Sequence, residues 1–326
     1  MQSRFLQALL QYSLVLWIAV TLNFLLPRLM PGNPLALLAG EDVGLLPAAA
    51  RDAIMAKHQL DQPLWHQYLT YLGAMARGDW GYSYQQNRPI GEILAERIPW
   101  TLLLAGSGLL LSTLIGVLCG MVAAWYQGRS ADVGLLSFFL VLDALPPFWV
   151  GMVLIALFAV GLGWFPTFGA YTAWKQLEGW DKLADMARHL VLPLTTLTIA
   201  SVAGNFVITR YALVDILREP YIMVARAKGV APLRLMFRHV LQNAWLPMIT
   251  VFMMNLGFVL GGATVIETVF AYPGVGRLLF EAVKDRDYPL LQATFLLITV
   301  SILLTNLLSD WLCSVADPRV RYGTRR

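Results

Sequence analysis

Long apolar runs separated by short polar segments dominate the chain. Each run approaches or exceeds the roughly 20 residues that an α-helix needs to cross a bilayer. We therefore predict six membrane-spanning helices. In chain order they cover residues 8–26, 100–127, 134–164, 190–209, 240–266 and 289–309. The first run is longer than the core of a secretory signal peptide and no A-x-A-like site follows it, so we interpret it as an uncleaved span.

The composition agrees with a membrane protein. Of the 326 residues, 58% are hydrophobic and 13% are charged, and the mean hydropathy is +0.61. Soluble proteins carry about 25% charged residues. The net charge of +4 lies mainly in segments between the spans and indicates no nucleic-acid partner. The two cysteines, Cys119 and Cys313, lie in separate apolar runs and predict neither a disulfide framework nor a metal site.

The distribution of basic residues predicts the orientation. An excess of Lys and Arg lies in segments 1–8, 210–246 and 316–326, whereas segments 27–100 and 267–289 are slightly acidic. Because basic residues concentrate in cytoplasmic segments, we predict that both termini are cytoplasmic. The predicted regions are a first span with a large periplasmic loop (1–99), a transmembrane core (100–315) and a cytoplasmic tail (316–326).

The polar segment 218–247 carries the clearest local pattern. Pro220 suits the first position of a helix, and Gly229 suits a left-handed stop at the end of that helix. Pro232 suits the start of a second helix. We therefore predict two short helices that meet at a turn in the cytoplasm.

One face of the first short helix is small and largely apolar. The spacing i, i+3, i+4 and i+7 places on it Tyr221, Val224, Ala225 and Lys228. Such a face suits a groove on another protein. The alternative is an ordinary charged loop that only fixes the topology. Its basic residues are Arg218, Arg226, Lys228, Arg234 and Arg238.

The order of residues in this loop resembles that of bacterial ABC-importer permeases. That family's loop is written as EAA, three residues, Gly, nine residues, and then hydrophobic-x-Leu-Pro. Here ARAKG at 225–229 is followed by nine residues and then by His239, Val240 and Leu241. Ala225, Gly229 and Leu241 match the pattern strictly.

The departures from the generic pattern resemble one branch of that family. Met223 and Val224 stand at the positions of Glu and Ala, and Gln242 stands at that of Pro. An xxARAKG form is usual in the dipeptide/oligopeptide/nickel branch. Further motifs extend this resemblance over nearly the whole chain: LMPGNP at 29–34, GDWGYS at 78–83, LPPFWVGM at 145–152, GWFPTFG at 163–169, ETVFAYPGVGRLLFEAV at 267–283 and DPRVRYG at 317–323.

The resemblance implies an all-α integral membrane protein with the six-helix fold of type I ABC importer permeases. It also implies that the loop forms a coupling helix that docks on an ATPase. The residues expected to couple are Tyr221, Val224, Ala225, Arg226, Ala227, Lys228, Gly229, Arg234, His239 and Leu241. The implied partners are a homologous second permease, two ATP-binding subunits and a periplasmic solute-binding protein, all at the bacterial inner membrane. Di- or oligopeptides are the expected cargo, and nickel or a metal chelate is the alternative.

Motifs for chemistry on this chain are absent. No G-x-x-x-x-G-K-[ST] motif occurs, so we predict no ATP site here and expect ATP and Mg²⁺ on the partner subunits. The four histidines show no metal-ligand spacing, and no Ser/His/Asp order stands out. We therefore predict no bound cofactor or metal and no enzymatic activity. A stand-alone ion-coupled carrier is an alternative that would need intramembrane charges of its own.

Asp143 is the carboxylate deepest within a predicted span, about 13 Å from Gly134 at 1.5 Å per residue. Placing an ionisable group at that depth costs free energy, and such a group faces a cavity or a partner. Pro146 and Pro147 follow it and predict a kink that frees backbone groups. We therefore predict a structural role for Asp143 at the kink, and contact with the solute is the alternative.

Overall fold

The computed structural model of the chain describes residues 2–29, 47, 62–83, 85–175, 177–257 and 259–316. These residues form helices and one two-stranded hairpin. The elements in chain order are α1 Gln2–Leu29, α2 Leu64–Ala76, β1 Tyr82–Ser83, β2 Arg88–Pro89, α3 Ile90–Trp125, α4 Ser130–Asp143, α5 Pro147–Leu154, α6 Gly179–Leu217, α7 Pro220–Ala227, α8 Pro232–Arg234, α9 Gln242–Gly257, α10 Val259–Gly262, α11 Thr264–Val269, α12 Val275–Lys284 and α13 Tyr288–Ala316. Two segments wind as π-helix, Ile155–Gly161 after α5 and Leu235–Leu241 after α8.

Among the described residues, three helices are long and apolar enough to cross a membrane: α3, α6 and α13. The bent pair of α4 and α5, with its π-helical continuation, raises that number to four. The predicted spans 134–164 and 240–266 are each divided into shorter helices. The multi-pass helical architecture is therefore confirmed, whereas the number of six spans and the cytoplasmic position of both termini stay predictions.

The pairing of α3 with α6 forms the centre of the bundle. Glycines on α3 allow the two backbones to approach closely. A Cβ atom at Gly116 would lie 2.7 Å from the Cβ of Asn205, and one at Gly120 would lie 2.8 Å from the Cβ of Thr209. Carbon atoms normally rest about 3.5–4 Å apart. A larger residue at either glycine would therefore push α3 away from α6.

The kink predicted for the third span is confirmed. The axes of α4 and of the helix that follows it meet at 93° across residues 144–146. Pro146 and Pro147 lack the N–H groups that would continue the α4 hydrogen-bond ladder, and Pro147 takes the first position of α5. Asp143 is the last residue of α4, about 20 Å along the helix from Ser130 at 1.5 Å per residue.

We call the end of the bundle that carries residues 218–247 the loop end, and the opposite end the far end. Glu267 is fully buried at the far end. Its carboxylate accepts hydrogen bonds from the Thr101 hydroxyl (2.7 Å) and from the Arg277 N–H (2.9 Å). The Thr101 hydroxyl in turn accepts from the Val275 N–H at 2.7 Å. This network joins α3 to α11 and α12, which follow much later in the chain.

Residues 30–46 and 48–61 of the predicted periplasmic loop lie outside the described residues. Its described part consists mainly of α2 and the hairpin, in which β1 pairs antiparallel with β2. The Ser83 hydroxyl of β1 donates to the carboxylate of Asp287, just before α13. Burial raises the pKa of the Asp287 carboxyl, and hydrogen bonds from Ser83 and from the Leu290 N–H oppose that rise. The hairpin is thereby fastened to the start of the last helix.

Candidate functional site

The short helix α7 at the loop end begins and ends where the sequence predicts. Pro220 occupies its first turn. At its other end Gly229 has a φ of 75°, its N–H donates to the Arg226 carbonyl (2.9 Å), and the Val230 N–H donates to the Ala225 carbonyl (3.2 Å). These two hydrogen bonds form a Schellman motif, which requires a left-handed residue at the position of Gly229. The predicted turn geometry is therefore confirmed.

One buried side chain anchors α7 to the bundle. Ile222 is fully buried, and it belongs to an apolar cluster that contains Met121 of α3, Leu213 of α6 and Leu235 and Val240 of the π-helical segment. Burying an isoleucine side chain contributes about 1.5–3 kcal/mol. A displacement of α7 must therefore carry α3 and α6 with it or break this cluster.

The outer surface of the loop carries exposed apolar side chains. Tyr221, Met223 and Val224 of α7 are 43%, 62% and 53% exposed. Leu233 of α8 and Phe237 of the π-helical segment are 75% and 54% exposed. Exposed apolar groups gathered on one short segment indicate an interaction site. We call this set of five residues the loop surface.

The structure assigns the predicted coupling residues to two environments. Those exposed at the loop end are Tyr221, Val224, Arg226, Ala227, Lys228, Gly229 and Arg234. Those partly buried are Ala225, His239 and Leu241. Ala225 and Leu241 pack against the cluster around Ile222, so they belong to the anchor and not to the outer face. The guanidinium of Arg226 lies over the Trp125 ring of α3, 5.4 Å from the ring centroid.

Sequence reasoning missed Ile222, Met223, Leu233 and Phe237. The i, i+3, i+4 spacing selected the face that begins at Tyr221 and left the neighbouring positions unassigned. A short amphipathic helix has an inner and an outer face, and only the packing shows which one is buried. The apolar character of these four residues was the available signal, because a loop that only fixes the topology does not need apolar side chains.

A second feature is a cavity of about 360 Å³ between the helices. It lies among α3, α4, α6, α9 and α10. Its polar side chains are those of Asp143, Ser201, Asn205 and Asn255. Its apolar lining includes small residues, among them Ala105, Ala200, Gly204 and Ala263. Small residues leave room for a guest, and a few polar groups among apolar ones can orient it.

Two asparagines connect the helices that line this cavity. The side-chain amide of Asn205 on α6 donates to the Ser112 hydroxyl of α3 at 3.2 Å. The side-chain amide of Asn255 on α9 is 3.5 Å from the Asn205 side-chain oxygen. Asn205 is buried, whereas Asn255 is exposed. The cavity wall therefore contains a polar connection across three helices.

Asp143 lines the same cavity and is exposed. No hydrogen bond or ion pair joins its carboxylate to any residue that the structure describes. The N–H groups next to the kink already have backbone partners: Ala144 donates to the Leu140 carbonyl and Leu145 to the Leu142 carbonyl, each at 3.2 Å. The two prolines have no N–H group to satisfy. Among the described residues, no hydrogen bond supports the predicted structural role of Asp143, and that role stays a prediction.

A buried ion pair lies between the loop end and this cavity. The Arg210 guanidinium of α6 donates two hydrogen bonds to the Asp132 carboxylate of α4, at 2.6 and 2.7 Å. The Gly128 N–H adds a third at 2.9 Å. Asp132 is 2% and Arg210 8% exposed. This pair fixes the start of α4 to α6, so a movement of α6 reaches the helix that ends in Asp143. Sequence reasoning counted both residues only as loop charges.

The described residues contain no group of three or more His, Cys, Asp or Glu side chains that could hold a metal ion. The two features with functional geometry are therefore the loop surface and the polar cavity. Neither arrangement presents a nucleophile beside a base.

Relatives with curated descriptions match almost the full length of this chain. It is 35% identical over 302 residues to the oligopeptide transport system permease protein AppB of Bacillus subtilis (strain 168), covering 92% of this chain and 93% of that protein. It is 36% identical over 315 residues to the di/tripeptide transport system permease protein DppB of Pseudomonas aeruginosa (strain UCBPP-PA14), covering 92% and 93%. It is 36% identical over 309 residues to the glutathione transport system permease protein GsiC of Escherichia coli (strain K12), covering 94% and 95%.

The fold has a counterpart among solved structures. An inward-facing conformation of the MetNI methionine ABC transporter matches with a TM-score of 0.58 at 14% sequence identity, covering 70% of this chain and 98% of that chain. At this identity the likeness concerns the fold alone. It confirms the helical permease fold of type I ABC importers.

A family model described as "Binding-protein-dependent transport system inner membrane component" matches residues 116–322. That range includes α7, the loop surface, the Asp132–Arg210 pair and nearly all of the helices around the cavity. With this match and the full-length relatives, the chain belongs to the family of binding-protein-dependent transport system inner membrane components, which are multi-pass membrane permeases.

Proposed function

We propose that this chain is one of two permease subunits of an ATP-driven importer that carries di- or oligopeptides across a bacterial inner membrane. The relatives named above transport oligopeptides, di/tripeptides and glutathione, which are all peptides. The other components would be a homologous second permease, two ATP-binding subunits that hold ATP and Mg²⁺, and a periplasmic solute-binding protein. This chain would bind no cofactor of its own.

The observation that carries the mechanism is the anchoring of α7. Its outer face offers the apolar residues of the loop surface, beside the exposed basic residues Arg226, Lys228 and Arg234, to an ATP-binding subunit. Its inner face is fixed to α3 and α6 through Ile222. Closure of the ATP-binding subunits would move α7, and the cluster would transmit that movement to the helices that line the cavity. Rigid-body alternation around a site near the midplane is an established transporter strategy.

The alternatives have less support. The relatives named above are peptide permeases, which favours peptides over nickel or a metal chelate. A stand-alone ion-coupled carrier does not fit a family that depends on a binding protein. The periplasmic position of the loop between α1 and α3, and the cytoplasmic position of both termini and of the tail at 316–326, are part of the proposal.

The test fills the cavity at a position where a side chain can be accommodated. Gly204 lines the cavity, and a Cβ atom there would meet nothing within 4 Å. We expect Gly204→Leu to lower uptake by about tenfold, because differences of a few methylenes in an apolar pocket discriminate solutes to that extent. The measurement is uptake of radiolabelled tri-alanine by cells of the source organism that lack the chromosomal gene and carry each variant on a plasmid.

The matched control is Gly106→Leu on α3. A Cβ atom at Gly106 also meets nothing within 4 Å, and Gly106 does not line the cavity. We expect it to retain the uptake of the unmodified chain. Unchanged uptake by Gly204→Leu would show that the cavity is not on the path. Equal tri-alanine uptake with and without the unmodified gene would contradict the peptide-import function.

A further inference from the structure

The described lining of the cavity contains one carboxyl group and no basic side chain. The carboxyl group is that of Asp143. Asp143 is exposed to the cavity, with no hydrogen bond or ion pair from any described residue. A second carboxylate in a membrane helix behaves differently: Asp310 of α13 accepts a hydrogen bond from the Tyr12 hydroxyl of α1 at 2.7 Å. Asp143 therefore differs from Asp310 in having its charge available to a guest.

A bare carboxylate at this depth is costly to maintain. Charged side chains within the membrane are rare and face a cavity, a partner or a pathway. Asp143 lies about 20 Å along α4 from Ser130, so a position near the membrane surface does not explain it. The N–H groups of Ala144 and Leu145 at the kink donate to backbone carbonyls, so an unpaired backbone donor does not explain it either.

The proposed cargo supplies the complementary charge. Every unmodified peptide has an α-ammonium group, whatever its side chains are. Moving that cation through a low-dielectric passage removes its hydration, and the cost is large unless an opposite charge or hydrogen-bond acceptors replace the water. A carboxylate can accept one or two charge-assisted hydrogen bonds from an ammonium group.

We propose that Asp143 is a substrate-binding residue that receives the α-ammonium group of the peptide during its passage through the cavity. This inference rests on the proposed peptide-import function and specifies one contact within it. The Asn255 side chain, exposed on the same lining, and the Ser201 hydroxyl lie where they can hydrogen-bond the amide groups that follow the ammonium. The kink at residues 144–146 then has a functional consequence, because it ends α4 at the cavity and leaves the Asp143 side chain facing into it.

If the charge of Asp143 matters, Asp143→Glu should support more uptake than Asp143→Asn. If the role is structural, the ranking of the two variants should be reversed. Asp143→Asn keeps the shape and the hydrogen-bonding ability but removes the charge, whereas Asp143→Glu keeps the charge on a longer side chain. We expect Asp143→Asn to lower tri-alanine uptake about tenfold or more, the typical loss for a hydrogen bond to a charged group. We expect Asp143→Glu to retain most of the uptake, and Asp310→Asn, the matched control, to retain all of it.

The uptake experiment uses deletion cells carrying each variant, with radiolabelled tri-alanine and Ala-Lys-Ala as probes. The ATPase activity of the complex, purified through a tag on this chain, is measured in parallel and should be unchanged. Tri-alanine has only one amine, so a loss with this probe assigns the contact to the α-ammonium group.

Three results would overturn the inference: uptake retained by Asp143→Asn, a loss confined to Ala-Lys-Ala, or a parallel loss of ATPase activity. If the unmodified chain supports uptake of neither peptide, the peptide-import function itself fails, which is a separate outcome.

Discussion

Replacing Arg210 by methionine is expected to destabilise the protein by about 3 kcal/mol, because it leaves the Asp132 carboxylate buried without its partner. The lost interactions include both charge-assisted hydrogen bonds between α6 and α4. The measurement is the fraction of monodisperse protein that remains after heating in detergent, compared with the unmodified chain. The apparent melting temperature of Arg210→Met should be clearly lower than that of the unmodified chain.

Two further variants identify the cause of this loss. Adding Asp132→Leu to Arg210→Met should restore most of the stability, because a well-packed apolar pair can replace a buried ion pair. Arg88→Met removes a more exposed pair, Arg88 with Glu96, whose side chains are 42% and 58% exposed. Exposed pairs contribute little, so this control should melt close to the unmodified chain. Equal melting of Arg210→Met and the unmodified chain would show that the Asp132–Arg210 pair does not hold α4 to α6.

Gly229→Val is expected to lower peptide uptake while the protein still inserts into the membrane. Gly229 has a φ of 75°, a region that is especially unfavourable for β-branched residues. A non-glycine residue there costs about 1–2 kcal/mol, or a factor of roughly 5–30 in the population of the native turn. The uptake of tri-alanine by cells should decrease by a factor within the same range. The membrane level of the variant is measured by immunoblot.

Gly229→Asn is the matched control, because asparagine adopts positive φ more readily than other non-glycine residues. It should retain clearly more uptake than Gly229→Val. A Cβ atom at position 229 meets nothing within 4 Å, so steric collision with the rest of the chain does not separate the two variants. If both variants transport like the unmodified chain, the geometry of this turn is not needed for coupling.

Helix α7 shows how much of the structure local sequence patterns can predict. Pro220 and Pro232 each restrict the backbone at a single residue, and Gly229 permits the left-handed conformation, so the bounds of α7 and its turn could be predicted without knowing the fold. The kink between α4 and α5 could be predicted for the same reason, because Pro146 and Pro147 lack N–H groups.

Other features depend on residues far apart in the chain. Ile222 is an anchor because Met121, Leu213 and Leu235 lie around it. Asp132 and Arg210 are 78 positions apart, and in the sequence each resembles an ordinary loop charge. In the fold the Arg210 Nε atom lies 2.6 Å from an oxygen of the Asp132 carboxylate. The kink beside Asp143 was correctly predicted, but the kink did not show which way the side chain faced.

The sequence by itself determined the membrane class, the resemblance to importer permeases, and the local turns, because hydrophobic length and backbone restriction are properties of short segments. Only the tertiary structure decided that α7 is anchored through Ile222, that Asp132 pairs with Arg210, and that Asp143 faces a cavity with no partner among the described residues. These three outcomes depend on the approach of helices that are distant in the chain. The spacing at that approach is set by packing, as at Gly116 against Asn205, and a linear pattern of residues does not specify it.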